Sequence, residues 1–185
     1  MEDISLHVLD ILENSAKAGA TKVELIFGWR DAALNIGIRD NGPGLPDHVA
    51  AAPADPYTTT RTERPVGLGL ALLKQSAEES GGCMTVESQP GRGVAVQVEF
   101  LFGGPDAKPL GDIIGTLSTA VLAWPGADMK VLLALGTVVL DMTIVKAETD
   151  GIPLSHPAVR GFIKEALQDG LADLLAWAEQ GFNLR

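Results

Sequence analysis

The chain has 185 residues, 46% hydrophobic and 21% charged, with a net charge of −10, a composition that fits a folded globular protein and not a disordered one. Both halves are acidic, −6 over residues 1–103 and −4 over 104–185, and no run of Lys or Arg offers a footprint for nucleic acid or an anionic membrane. The single cysteine, Cys83, excludes an intramolecular disulfide and any cysteine-rich metal or iron–sulfur site.

The N-terminus is acidic and lacks a basic start followed by an apolar run, so no signal peptide is expected. Ile4, Leu6, Val8, Leu9, Ile11, Leu12 and Ala16 recur at helical spacing over residues 3–18, and Gly19 suits the end of that helix. Residues 22–29 and 33–40 read as two strands of a hairpin turning near Arg30 and Asp31. The segment 40–46, DNGPGLP, is too rich in Gly and Pro to be regular. Residues 46–66 read as a loop with a short helix near Asp47–Ala52. A helix follows from Gly67 or Leu68 to about Ser80, with Leu70, Leu72, Leu73 and Ala77 inward. Strands at 83–88 and 93–102 are joined by a turn at Gln89–Arg92.

Gly103, Gly104 and Pro105 mark a boundary between a unit at 1–103 and a smaller α/β unit at 104–185. The second unit reads as a helix over 110–124, a hairpin of 129–135 and 137–143, and a long terminal helix with Pro157 in its first turn and Ser155 as its cap. The apolar stretch Ile113–Val145 is broken by Pro125–Asp128, Lys130 and Asp141. Its pieces fall short of the roughly 20 residues that span a bilayer, so a soluble, cytoplasmic protein is expected. The element order predicts an α+β fold, a two-layer sandwich of a mostly antiparallel sheet with helices on one face.

Three clusters carry candidate chemistry. Asp10, Asn14 and Lys17 share one face of the first helix, where an amide oxygen can ligate Mg²⁺ and an ammonium can face a phosphate. Taken alone, that spacing equally describes the solvated face of an amphipathic helix. Asp40, Gly42 and Gly44 follow directly on a strand. There a carboxylate can accept from an exocyclic amine such as adenine N6, and glycines let the backbone approach a flat ligand. Gly67, Leu68 and Gly69 open a helix, where backbone N–H groups and the positive end of the dipole suit phosphate. No P-loop or dinucleotide fingerprint is present.

Taken together, these segments resemble the boxes of the histidine kinase/gyrase/heat-shock chaperone/mismatch-repair (GHKL) ATP-binding superfamily. Residues 9–21 resemble the N box, DNGPG the first glycine box, 67–82 the second, and 91–100 the last glycine box with its strand. The resemblance implies a Bergerat-type ATP-binding fold with ATP and Mg²⁺ as cofactors. Asn14 would ligate the metal, Lys17 would face phosphate, Asp40 would bind adenine, Gly42 and Gly44 would shape the base pocket, and Gly67–Gly69 would hold phosphates. Residues 53–66 would form the lid, with Arg61 or Arg64 reaching the γ-phosphate. Asp10 and Glu13 are the candidate general bases; Asp10 stands where ATP-hydrolysing members place a Glu. Val94 stands where the family often has Thr or Ser, so a hydroxyl near the adenine is lost or comes from elsewhere.

Met1 stands almost at the N box, so no phosphoacceptor hairpin of the histidine-kinase kind is expected ahead of it. His7, on the first helix, reads as a packing or capping residue. The segment from Pro109 to Thr116, PLGDIIGT, resembles the opening of a short domain in stand-alone bacterial ATP-binding proteins encoded beside hydrogenase and NADH-linked iron–sulfur subunits. That resemblance implies a regulatory or accessory role with a hydrogenase- or redox-complex-related protein partner; a nucleotide-dependent regulator acting as a kinase on a partner in trans, by analogy with anti-sigma-like kinases, is the first reading. A slow ATPase and a binding module without catalysis are the alternatives. Homodimerisation is open, and neither nucleic acid nor a membrane is an expected partner.

Overall fold

Asp3 starts the first helix: its carboxylate accepts from the Leu6 N–H at 3.0 Å, and the chain runs on as α1, Ile4–Lys17. The computed structural model describes residues 3–46, 49, 53, 68–104 and 106–183. The short helix expected near Asp47–Ala52 and most of the expected lid fall outside these residues. The alternation seen in the sequence yields β1, Lys22–Arg30, and β2, Ala33–Asp40. After these come α2, Leu68–Glu79, β3, Cys83–Gln89, and β4, Gly93–Leu101. Period-2 patterning puts Val23, Leu25 and Phe27 of β1 and Ile36 and Ile38 of β2 on one buried face.

Beyond residue 103 lie α3, Ile113–Ala123, β5, Asp128–Leu133, β6, Val138–Asp141, α4, Met142–Glu148, α5, Pro157–Gly170, and α6, Ala172–Asn183. The second expected strand is shorter than its apolar pattern suggests. Asp141 ends it and caps α4 through its carboxylate, which accepts from the Thr143 N–H at 3.0 Å. The single terminal helix expected is two helices that meet at Leu171. Its cap is His156, not Ser155: imidazole Nδ1 accepts from the Ala158 N–H at 3.3 Å. Pro157 does take the first turn, where its missing N–H costs nothing.

The strands form one sheet in the order β3-β4-β2-β1-β5-β6. Every pairing is antiparallel except that of β1 with β5, which is parallel, with Val23 opposite Met129 and Leu25 opposite Val131. The expected boundary near residue 103 thus lies between strands of one sheet. A single hydrophobic cluster joins Leu12, Phe27 and Phe100 to Leu117, Met129 and Ile163. Trp177 of α6 stacks on Phe102 at 4.9 Å and donates its indole N–H to the Asp31 carbonyl at 3.0 Å, tying the last helix to the first hairpin. No helix among the described residues is long and apolar enough to cross a membrane.

Candidate functional site

Asp40 ends β2, and its carboxylate is held from three sides. Ser15 of α1 donates its hydroxyl to Oδ2 at 2.7 Å, while Oδ1 accepts from the Gly42 N–H at 2.8 Å and the Val94 N–H at 3.3 Å. An ionised carboxylate accepts roughly four hydrogen bonds, so this arrangement leaves one acceptor position. A group held in this way can only accept, and it suits a ligand edge that donates, such as an exocyclic amine.

The loop after Asp40 is fastened on both sides. Asn41 accepts from the Thr21 and Lys22 N–H groups at 2.9 and 2.8 Å and donates to the Thr21 hydroxyl. Pro43 accepts from the Gly91 N–H, and the Leu45 N–H donates to the Ser88 hydroxyl at 2.7 Å. Gly42 and Gly44 therefore sit in a loop stitched to the α1–β1 turn and to the β3–β4 hairpin. Asp40, Pro43 and Gly44 line a cleft with Asn14, Ser15, Leu70 and Val94. Its walls are mostly apolar, with Asn14, Ser15 and Asp40 as polar groups, a composition that suits a small-molecule site.

One turn earlier on α1, Asp10 and Asn14 meet the start of α2. The Asn14 amide nitrogen donates to Asp10 Oδ2 at 3.2 Å, which turns its amide oxygen away from that carboxylate. Gly69 packs directly on this pair. A Cβ there would lie 1.8 Å from Asp10 Oδ2 and 3.3 Å from the Asn14 amide nitrogen, so a larger residue would displace either α2 or the Asp10 side chain. The N-terminal end of α2, whose first N–H groups have no partner within the helix, is thereby brought to Asp10 and Asn14.

Lys17 and Glu13 are not brought to the cleft. They pair with each other at 2.7 Å on the exposed side of α1, one helical turn apart. Leu68 opens α2, whereas Gly67, Arg61 and Arg64 lie outside the described residues. His7 packs between helices, as expected of a packing residue: its Nε2 lies 2.9 Å from the Ser76 hydroxyl of α2. Burial, and then nearby positive charge including Lys108, lower its pKa to about 4, with Asp3 opposing. Ser15 went unremarked in the sequence, yet it falls on the stripe of Ile4, Val8 and Ile11 that α1 buries. A hydroxyl on an apolar stripe needs a partner, and that was the available signal.

A model of the histidine kinase-, DNA gyrase B- and HSP90-like ATPases matches residues 2–103. The chain belongs to this family. The matched segment runs from α1 to β4 and contains every residue of the cleft described above. Among the chain's relatives, nitrogen regulation protein NtrY of Azorhizobium caulinodans is 34% identical over 116 residues, 57% of this chain and 15% of that protein. The sensor histidine kinase component HK1 of Mycobacterium tuberculosis is 32% identical over 91 residues, 48% of this chain and 54% of that one. The chain thus spans a small part of the first relative and about half of the second. The ATPase domain of Aquifex aeolicus MutL, solved in complex with ADP, superposes with a TM-score of 0.50 at 18% identity, covering 76% of this chain and 63% of that one. That likeness is one of fold, and it covers more of the chain than residues 2–103 alone.

Proposed function

We propose that the chain is a Mg-ATP-binding regulatory protein that acts as a kinase on a protein partner in trans. The observation that carries the reading is a cleft lined by Asp40 and Asn14, with Asp10 and Gly69 packed against Asn14. Asp40, held by Ser15, Gly42 and Val94, offers a lone acceptor to the adenine amine. Asp10, Asn14 and Gly69 gather at the mouth of α2, where phosphates would lie. Ser15 provides the hydroxyl that Val94 cannot. Mg²⁺ suits the donor set: it takes oxygen ligands, and on a nucleotide it needs few from the protein and keeps its waters. The Asn14 amide oxygen would ligate it, and the bound ion would neutralise phosphate charge. The partner, on the sequence resemblance, is a hydrogenase- or redox-complex-related protein. Titration calorimetry with Mg-ATP and Mg-GTP tests the binding, with ATP favoured through its amine; equal affinity for both sinks the adenine assignment. Capture of partners with and without ATP, followed by radiolabel transfer from γ-labelled ATP, tests the kinase role.

Slow hydrolysis is the second reading, favoured by the seat of Asp10 against Asn14 and Gly69. Glu13, the other candidate base, is engaged by Lys17. Phosphate release that survives Asp10→Asn would exclude Asp10 as the base.

A further inference from the structure

Residues 109–116, the PLGDIIGT segment, lie outside the nucleotide cleft, yet they hold the helix that builds it. The first N–H groups of a helix have no partner within it. In α1 they are met from the far end of the sequence: the Ile4 N–H donates to the Pro109 carbonyl and the Ser5 N–H to the Leu110 carbonyl, both at 2.9 Å. Asp3 Oδ1 takes the Leu6 N–H and, at 2.8 Å, the Ser5 hydroxyl. Gly111 closes over this cap with φ +75, and a Cβ there would lie 2.5 Å from Asp3 Cγ and 2.7 Å from Ser5 Oγ. Both the backbone angle and the contact require glycine.

The rest of the segment anchors the loop. Asp112 caps α3 by accepting from the Gly115 N–H at 2.8 Å, and Leu110, Ile113 and Leu117 are buried in the core. The loop is thus fixed to the C-terminal elements on one side and to the first turn of α1 on the other. From Ile4 to Asn14 the helix advances about 15 Å at 1.5 Å per residue. A shift of its capped end therefore moves Asp10, Asn14 and Ser15 as one body.

We infer that the Pro109–Asp112 loop is a positioning element of the nucleotide site, with Gly111 its most sensitive residue, through which the C-terminal elements and the bound nucleotide influence each other. This rests on the reading of the cleft as a nucleotide site. By linkage the influence runs both ways, and that separates positioning from simple support.

The test measures amide hydrogen exchange at Ile4 and Ser5 by NMR, together with Mg-ATP affinity. The proteins are the full chain, Gly111→Ala, and Gly126→Ala as a control whose added methyl meets nothing within 4 Å. Saturating Mg-ATP is expected to slow both amides in the unmodified chain. Gly111→Ala is expected to speed their exchange about tenfold and to weaken Mg-ATP about five- to twentyfold, with Gly126→Ala changing neither. If Gly111→Ala does not fold, Ser5→Ala removes the Ser5–Asp3 hydrogen bond without adding an atom, and about two- to fivefold effects in the same directions are expected. Faster exchange with unchanged affinity would make the loop a local cap alone and overturn the inference, as would exchange indifferent to nucleotide. Absence of Mg-ATP binding by the unmodified chain would instead sink the reading of the cleft.

Discussion

Ser15 and Asp40, 25 positions apart, meet through a hydrogen bond of 2.7 Å that joins α1 to the end of β2. A hydrogen bond to a charged group is worth about 1.5–3 kcal/mol, and this one also fixes which way the carboxylate faces. Ser15→Ala is expected to weaken Mg-ATP binding about three- to tenfold by calorimetry while the fold is kept. Asp40→Asn should cost about a hundredfold or more, because an amide nitrogen would then oppose the Gly42 and Val94 N–H groups or the adenine amine. Equal affinity in Asp40→Asn and the parent would remove Asp40 from the base pocket.

Gly69→Ala places a methyl where Asp10 Oδ2 now lies, 1.8 Å from the new carbon. Either α2 retreats or Asp10 swings out, and Mg-dependent ATP affinity is expected to fall at least about tenfold. The paired variant Gly69→Ala/Asp10→Ala relieves the clash, so its folding stability should lie above that expected from adding the single effects. Strict additivity in urea melts would show that the two residues do not compete for the same space.

The exposed Lys17–Glu13 pair makes the opposite prediction. Glu four residues ahead of Lys is the favourable orientation on a helix, worth about 0.3–0.5 kcal/mol. Lys17→Met should cost about that much stability and leave Mg-ATP affinity within about twofold. A loss of tenfold or more in affinity would return Lys17 to the phosphates, where the sequence alone had put it.

Acid sensitivity should follow His7. Burial lowers its pKa to about 4 in the folded chain, against about 6.5 for a free histidine. Above pH 6.5 the ring is neutral in both states. As pH falls below that value the unfolded chain takes up the proton first, so stability is lost progressively down to about pH 4. The full effect is on the order of 3 kcal/mol. The N-terminal ammonium and Lys108 lower it, Asp3 opposes them, and Ser76 is its hydrogen-bond partner. Urea denaturation of His7→Gln across pH 4–7 should show this slope flattened; an unchanged slope would assign the acid limb to other groups.

Much of the cleft was legible because its signals are local. Asp40 with its glycines, the helical run ending at Gly19, and the two N-terminal hairpins are each set by a few neighbouring residues. What escaped was decided at long range or by one side chain's choice of partner. Lys17 faces outward because Glu13 is one turn away, which spacing alone does not distinguish from a phosphate ligand. Asp141 looked like the tail of an apolar strand, and only its bond to the Thr143 N–H turns it into a cap. Gly170, at the end of α5, lies close against Val139 of β6, where a Cβ would meet Cγ1, a neighbour that the local pattern does not reveal. The parallel placement of β5 on β1 leaves no mark within either strand, since both simply read as apolar alternation.

That parallel pairing decides where the chain can be cut. Lys22 to Phe27 of β1 find their second neighbour in Asp128–Leu133. A fragment ending near residue 103 would keep every residue of the cleft and lose the cover of that flank. Its backbone donors and acceptors would form a bare template for another copy, and the loss of Met129, Val131 and Leu117 would open the core beside Leu25. Such a fragment should self-associate before it can be assayed, and only the longer chain offers the isolated cleft in usable form.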